Sequence, residues 1–488
     1  MADKQRNAGS GLHNQVLTEV LKELRWRQSR LVSEITAYMG PGYISRSTVS
    51  EWVRKGRVPR DPLPTVVAHV LSNATGRKIT VADVWGNASK ESSLWVSADH
   101  SVNMSPDYQS VLALAEDWNI HTGKARNADC RKFMAVSRAK LTIPAWSFVK
   151  NLATEIPVEL PVSTSLNGSM KVTSSMVSVL ESTIKEIEIL DDHEGGDSNN
   201  LRFLHSVFIV IAGYIKSNNF TDDRTRQRLL TAWAQLCRIG GFMAFDAGCH
   251  GYAQRLFHTG LQVAQNTGDR QLGAHILVHL SQQAVYRGYP KDAIQLAEAG
   301  MQAAKGTSLA VRALITWEYA RAQAAMGNVY ACHDAIEKAR SFVGDPSMLG
   351  TRPPYLYWVN SEMMETNNGH SLLTLAQKSP SNTQRLVDEA EKLLTPHMTS
   401  GFRREFSRQV LLRGSWLARG YLWCGELEQA VKTGATLLDL IPSVRSHQAI
   451  TVLRRLGSEI AQCRGAQRVP YVAEFSENLQ RSLAAAAV

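Results

Sequence analysis

No stretch of this chain stays apolar long enough to cross a bilayer. The most apolar run, Phe203 to Ile215, is broken by His205 and Ser206 and falls well short of the ~20 residues a spanning helix needs. The opening residues, MADKQRNAGSGLHNQ, lack the apolar core of a secretion signal. Cysteine is scarce: six in 488 residues, at 130, 237, 249, 332, 424 and 463, with no Cys-x-x-Cys pair. That usage predicts reduced, mostly buried thiols in a cytoplasmic protein that has no membrane partner. Catalytic signatures are missing too. There is no Gly-x-Gly-x-x-Gly, no Walker loop, no His-Glu-x-x-His and no Gly-x-Ser-x-Gly, so neither catalysis nor a cofactor is expected. His275 and His279 lie four apart on a predicted helix, but no acid or thiol of suitable spacing joins them, and packing is the better reading than a metal site. Asp191, Asp192, His193 and Glu194 sit beside a Gly/Ser/Asn-rich stretch, DDHEGGDSNN, and read as solvated charges in a loop.

What is present is a globular composition, 44% hydrophobic and 20% charged, with a net charge of +10. At this length it makes roughly two to four domains, or one small domain and a long repeat array. The charge is uneven. Residues 1–90 hold 14 Lys and Arg against 7 Asp and Glu, whereas the other 398 residues hold 40 against 37. A local positive field favours a polyanion, most often nucleic acid, although a solvated basic face has the same composition.

The basic head reads as short helices. Val16, Val20, Leu21 and Leu24 share one helical face, and Leu31, Ile35 and Tyr38 share another over Gln28–Tyr38. Gly40, Pro41 and Gly42 force a turn within MGPGYI. SRSTVSEWVRKGRVPR follows, with Ser45 or Ser47 as the helix cap and a stop at Gly56. Pro64 suits the first turn of TVVAHVLSNATG, and ITVADVW adds a last short helix. These boundaries predict a helical head over 12–86, a linker over 87–108, a mixed helical and loop region over 109–199, and helices over 200–485.

The pieces QSRLVSEI, a turn, and SRSTVSEWVRKG resemble the helix-turn-helix of small phage-repressor-like DNA-binding domains, over about residues 14–60. The resemblance implies that Gln28, Arg46, Ser47, Thr48, Ser50 and Glu51 face bases of double-stranded DNA in the major groove. Val49 and Trp52 would anchor the helix on Leu31 and Ile35. Arg54, Lys55, Arg57 and Arg60 would reach phosphates. The MGPGYI turn is longer than the usual tight one.

Beyond 200 the chain repeats. FDAGCHGYAQRLFHTG, YRGYPKDAIQLAEAG, AMGNVYACHDAIEKA and WCGELEQAVKTG align on Gly248, Gly288, Gly327 and Gly425. Five residues on come Ala253, Ala293, Cys332 and Ala430; seven residues before come Gly241, Ser281, Ala320 and Ala418. Antiparallel helices joined by a tight turn need glycine at the turn and small side chains where their axes approach. The last gap, 98 residues, leaves room for a diverged pair in YLYWVNSEMMETNNG and TQRLVDEAEKLL. The pattern resembles the tetratricopeptide repeat, with a longer period of about 40 and mostly without its tryptophan; a HEAT-like pairing is the alternative. An all-α protein follows: a small helix-turn-helix domain and then an α-solenoid of helix pairs.

The combination is similar to actinobacterial transcriptional regulators with an N-terminal helix-turn-helix and C-terminal tetratricopeptide-like repeats, a group that includes repressors of sporulation and antibiotic production. GGFMAFDAGCHGYAQRLF leading into NTGDRQLGAHIL, and STVSEWVRKGRVPRDPLPTVVAHVL, carry that similarity. It implies a cytoplasmic, nucleoid-associated homodimer on DNA. A more distant similarity is to peptide-pheromone-sensing repeat regulators. By repeat position, Arg238, His275, Gln282, Arg321 and Arg419 would line the groove and suit a peptide carboxylate or a small anion. A repeat scaffold that binds proteins or peptides without touching DNA is the other reading of the same features.

Overall fold

The computed structural model describes residues 14–39, 44–60, 63–75, 77, 79–86, 108–113, 115–116, 135–152, 171–196, 198–398 and 406–485. Most of the MGPGYI turn, the side chains of Tyr38 and His193, Gly76, the 87–107 linker, Cys130 and the IPVELPVS stretch lie outside the described residues. Two compact units emerge: Met1–Ala98 with Asp129–Val136, and Asp99–Ala128 with Ser137–Val488. Among the described residues the only extended pairing is the isolated bridge Val172–Phe220; everything else regular is helix, so the fold is all-α.

Among the described residues the first unit holds five helices: α1 (Gln15–Glu23), α2 (Gln28–Met39), α3 (Arg46–Lys55), α4 (Leu63–Thr75) and α5 (Val81–Trp85). Each hides one stripe. Leu17, Val20 and Leu21 of α1 join Leu31 and Ile35 of α2, Val49 and Trp52 of α3, and Val66 and Leu71 of α4 in one core. The predicted face of α1 shifts by one residue: Leu17 is buried and Val16 is exposed. Asn14 explains the shift. Its side chain caps α1 by accepting from the Leu17 N–H at 2.9 Å and donates to the Val84 carbonyl at 2.9 Å. The helix is thereby rotated until Leu17 points inward. Trp52 meets Trp85 edge-on, ring centres 5.8 Å apart.

The second unit is built from helix pairs. Before them come α6 (Ala139–Leu152), α7 (Ser174–Glu194) and α8 (Ser198–Ser217). Five pairs follow: α9 (Asp223–Asp246) with α10 (His250–Thr267); α11 (Arg270–Tyr286) with α12 (Pro290–Ala303); α13 (Leu309–Met326) with α14 (Val329–Val343). After a short α15 (Met348–Thr351) come α16 (Ser361–Ala376) with α17 (Thr383–Met398), and α18 (Ser407–Trp423) with α19 (Leu427–Ala435). The last helices are α20 (His447–Gln462) and α21 (Pro470–Ala485). This is a solenoid-like array, and the diverged fourth pair occupies the place the 98-residue gap predicts.

The four aligned glycines do the same work. Gly248, Gly288, Gly327 and Gly425 have φ of 79°, 79°, 83° and 82°. After each, the next N–H reaches back to the carbonyl five residues earlier: Cys249 to Ala244 at 2.8 Å, Tyr289 to Ala284 at 2.8 Å, Asn328 to Gln323 at 3.0 Å and Glu426 to Tyr421 at 2.8 Å. That is the left-handed helix stop, which glycine enters without a Cβ penalty. The fourth pair turns without glycine, through Gln377–Ser379 and a proline-led turn at Pro380–Asn382, which is why the glycine alignment skips it.

Inside a pair, the small residue is a steric necessity. A Cβ on Gly241 would stand 2.4 Å from the Phe257 ring, whereas one on Gly288 meets nothing within 4 Å. The two glycines separate two costs. Gly288→Ala should lose about 1 kcal/mol from its left-handed φ alone. Gly241→Ala should lose about 1–3 kcal/mol from overpacking and shift the Phe257 ring. Chemical denaturation of both variants checks this; a smaller loss at Gly241 would mean that the ring moves aside freely.

Candidate functional site

In the first unit, α3 presents the predicted DNA-facing residues. Ser45 caps it with an oxygen that accepts from the Thr48 N–H at 3.3 Å, so Ser45 rather than Ser47 is the cap. The Ser45 hydroxyl also shares hydrogen bonds with those of Ser47 and Thr48, at 2.7 and 2.8 Å. Arg46 and Ser47 are exposed, while Thr48 and Ser50 are half-buried; Gln28 opens α2, also half-buried. Val49 and Trp52 are buried, so the inner and outer faces divide as the sequence pattern predicts. Gly56 stops the helix at φ 60°.

Beyond the stop, Arg57 turns back to Glu51 at 2.9 Å, and Lys55 approaches the same carboxylate at 3.6 Å. The Arg57 hydrogen bond, with Lys55 and Arg57 charge beside it, holds the Glu51 carboxyl below its ordinary range. Glu51 therefore faces two of the basic residues. Arg54 and Arg60 are exposed, and among the described residues neither they nor Arg46 have an ion-pair partner.

In the second unit, the first helices of all five pairs, with α7, surround a cavity of about 110 Å³. Four of the five predicted groove residues line it: Arg238, His275, Gln282 and Arg321. Arg238 pairs with Glu188 of α7 and lies over the Tyr355 ring at 5.5 Å. Arg321 approaches Glu318 at 3.9 Å and donates to the Gln282 carbonyl at 3.3 Å. His275 and His279 stack with ring centres 4.7 Å apart. Among the described residues neither nitrogen of His275 has a partner, nor does Nε2 of His279.

Two expectations need correction. Arg419 does not line the cavity. Its guanidinium makes a two-pronged pair with Glu459 of α20 at 2.8 and 2.9 Å and lies over Trp416 and Trp423 at 4.6 and 5.3 Å. It shares the repeat register of Gln282 and Arg321, six residues before the aligned glycine, but in the last pair α20 covers that face. The second concerns Asp191, Asp192 and Glu194, which are not solvated loop charges. They form the last turn of α7, and Asp191 is buried against Arg408 at 3.3 Å. Burial pushes the Asp191 carboxyl up to about 7 despite the pull of Arg408.

Sequence reasoning missed Arg408 and Arg413, both of which line the cavity. Arg413 had a signal available: twelve residues before the other aligned glycines stand Leu236, Ile276 and Ile315, all buried. An arginine in an aliphatic register marks an exception. Among the described residues no group of three His, Cys, Asp or Glu is placed to hold a metal, and no helix is long and apolar enough to cross a membrane.

The interior is sensitive to protons. Burial lowers His250 and His279 to about 3 and His258 to about 4, and holds His275 and His370 well below their ordinary value. Each stays neutral in the fold and takes up a proton when unfolded below pH ~6.5, so each contributes stability that is lost as pH falls, at about 1.4 kcal/mol per pH unit. Asp191 and Glu318, both raised to about 7 by burial, act in the opposite sense: their stabilisation is present at low pH and is lost as pH rises from about 4 to 7. Asp292, raised by burial as well, acts in the same sense as these two. With His205, which burial lowers too, six histidines outweigh three carboxylates. The melting temperature of the second unit should therefore fall from pH 7 to pH 5, and His258→Gln should flatten the slope. A melting temperature that rises over that range would contradict the burial of these imidazoles.

Residues 17–85 match the family described as the SP15 N-terminal domain, a span that ends on Trp85, the partner of Trp52. No curated protein matches the chain.

Proposed function

We propose that this chain is a sequence-specific DNA-binding transcriptional regulator, of the kind that represses development or secondary metabolism, and that its repeat array dimerises and senses a signal. The observation that carries the reading is the division of α3. Val49 and Trp52 are locked into the core, while Arg46 and Ser47 at its start and Arg54 and Lys55 at its end stay exposed. At 1.5 Å per residue, Arg46 and Arg54 stand about 12 Å apart along the axis, a span comparable with the major groove. A helix held from behind, with polar side chains at its N-terminal end and arginines beyond it, suits insertion into that groove with phosphates gripped at the edge.

In this reading Arg46, Ser47 and Thr48 read bases, and Arg54, Arg57 and Arg60 hold phosphate. Glu51 positions Arg57 and Lys55. Their pairs are exposed to solvent and weak enough to exchange for phosphate. A ligand in the repeat cavity would act by changing the separation of two DNA-binding heads, which must match half-site spacing.

Gel-shift titration of the full chain against genomic fragments tests the reading. Binding should prefer some fragments and weaken steeply with salt. Arg46→Ala should relax preference at one base pair by about 1–3 kcal/mol. Arg57→Ala should weaken every sequence alike and reduce the salt slope by about 1. Binding without salt dependence or fragment preference would sink the regulator and favour a repeat scaffold that binds proteins.

A further inference from the structure

Arg413 stands apart among the arginines of the cavity. Arg238 has Glu188, Arg408 has Asp191, and Arg321 has Glu318. Arg413 has no carboxylate partner among the described residues. Its guanidinium donates to the neutral oxygens of Thr366 and Asn367 and lies 3.5 Å from the Met363 sulfur, while its Nε has no acceptor among the described residues. Only 7% of the residue is exposed. A buried charge held by neutral groups alone is costly. Burial, with Arg321 and Arg408 nearby, depresses its pKa to about 9.

The rest of the cavity wall suggests what would relieve that charge. Leu314, Trp317, Trp358 and Leu412 supply apolar surface. The imidazoles of His275 and His279 belong to the same wall. At about 110 Å³, the space is somewhat smaller than the ~150 Å³ apolar cavity known to take benzene, which suits a ligand of only a few heavy atoms. The charge to be matched is single, because the other guanidiniums already face carboxylates. A carboxylate also matches the planar fork of a guanidinium.

We propose that this cavity binds a small monocarboxylate with a compact apolar body, its carboxylate on Arg413 and its body against the aromatic and aliphatic wall. This names a ligand class for the sensing step proposed above and rests on that reading only for its effect on DNA.

Calorimetric titration of the full chain with propionate, and with its neutral counterpart propionamide, tests it. Propionate should bind, and propionamide should bind at least about tenfold more weakly, as expected for loss of a charged hydrogen bond. Arg413→Gln should abolish the difference while retaining the helical circular dichroism of the parent. Should Arg413→Gln fail to fold, Arg413→Lys, which keeps the charge but loses the planar fork, should shrink the preference. No propionate binding, equal binding of both probes, or a preference unchanged by substitution overturns the proposal. A gel shift unchanged by bound propionate would remove the sensing role and leave the site standing.

Discussion

One buried cation closes the repeat array. Arg408, near the start of α18, lies 3.3 Å from Asp191 at the end of α7 and 3.5 Å from Asp246 at the end of α9, with its guanidinium 5.0 Å from the centre of the Phe242 ring. Burial opposes its charge, but Asp191, Asp246 and Asp192 outweigh that and hold it protonated. Asp246 also accepts from the Ser446 hydroxyl at 2.5 Å, and the Arg445 N–H donates to the Glu194 carbonyl at 3.1 Å. The start of the array is thus joined to its end. Backbones approach closely there: a Cβ on Gly196 would lie 2.1 Å from the Met243 carbonyl oxygen. The first helices of the pairs surround the cavity beside this junction, and Arg238, Arg321, Arg408 and Arg413 on that face are buried.

Much of this was readable from the sequence, because the governing interactions are local. A helix stop that needs left-handed backbone declares itself as glycine, and four such stops revealed the pairs. The core of the first unit followed from Leu31, Ile35, Val49 and Trp52 falling at helical spacing. Leu17 escaped because an Asn cap sets the rotation of α1, and Val16 and Leu17 are equally apolar.

The cavity was readable only in part. Repeat register correctly placed Gln282 and Arg321 on the inner face, since each pair repeats the geometry of the one before. Register fails at the end of an array, where a covering helix replaces the next pair: Arg419 meets Glu459 of α20 instead of the cavity. Asp191 fails for a different reason. Its partner lies 217 residues away, and nothing in DDHEGG announces a distant arginine. Arg413 was visible as an irregularity in an aliphatic register, a signal that becomes meaningful once the pairs are aligned.

The left-handed stops and the Arg408 junction belong to different scales of the chain, and that difference sets an order of assembly. Each pair joins helices that are close neighbours in sequence, so the loop to be closed is short and cheap in entropy. The junction must bring together segments about two hundred residues apart, and its ions lose their hydration only when the surrounding helices exclude water. Pairs can therefore form one at a time, whereas the seam between α7, α9 and α18 waits for nearly all of them. On the reverse path the seam is the natural place for the array to come open, exposing the inner face while the individual pairs remain intact.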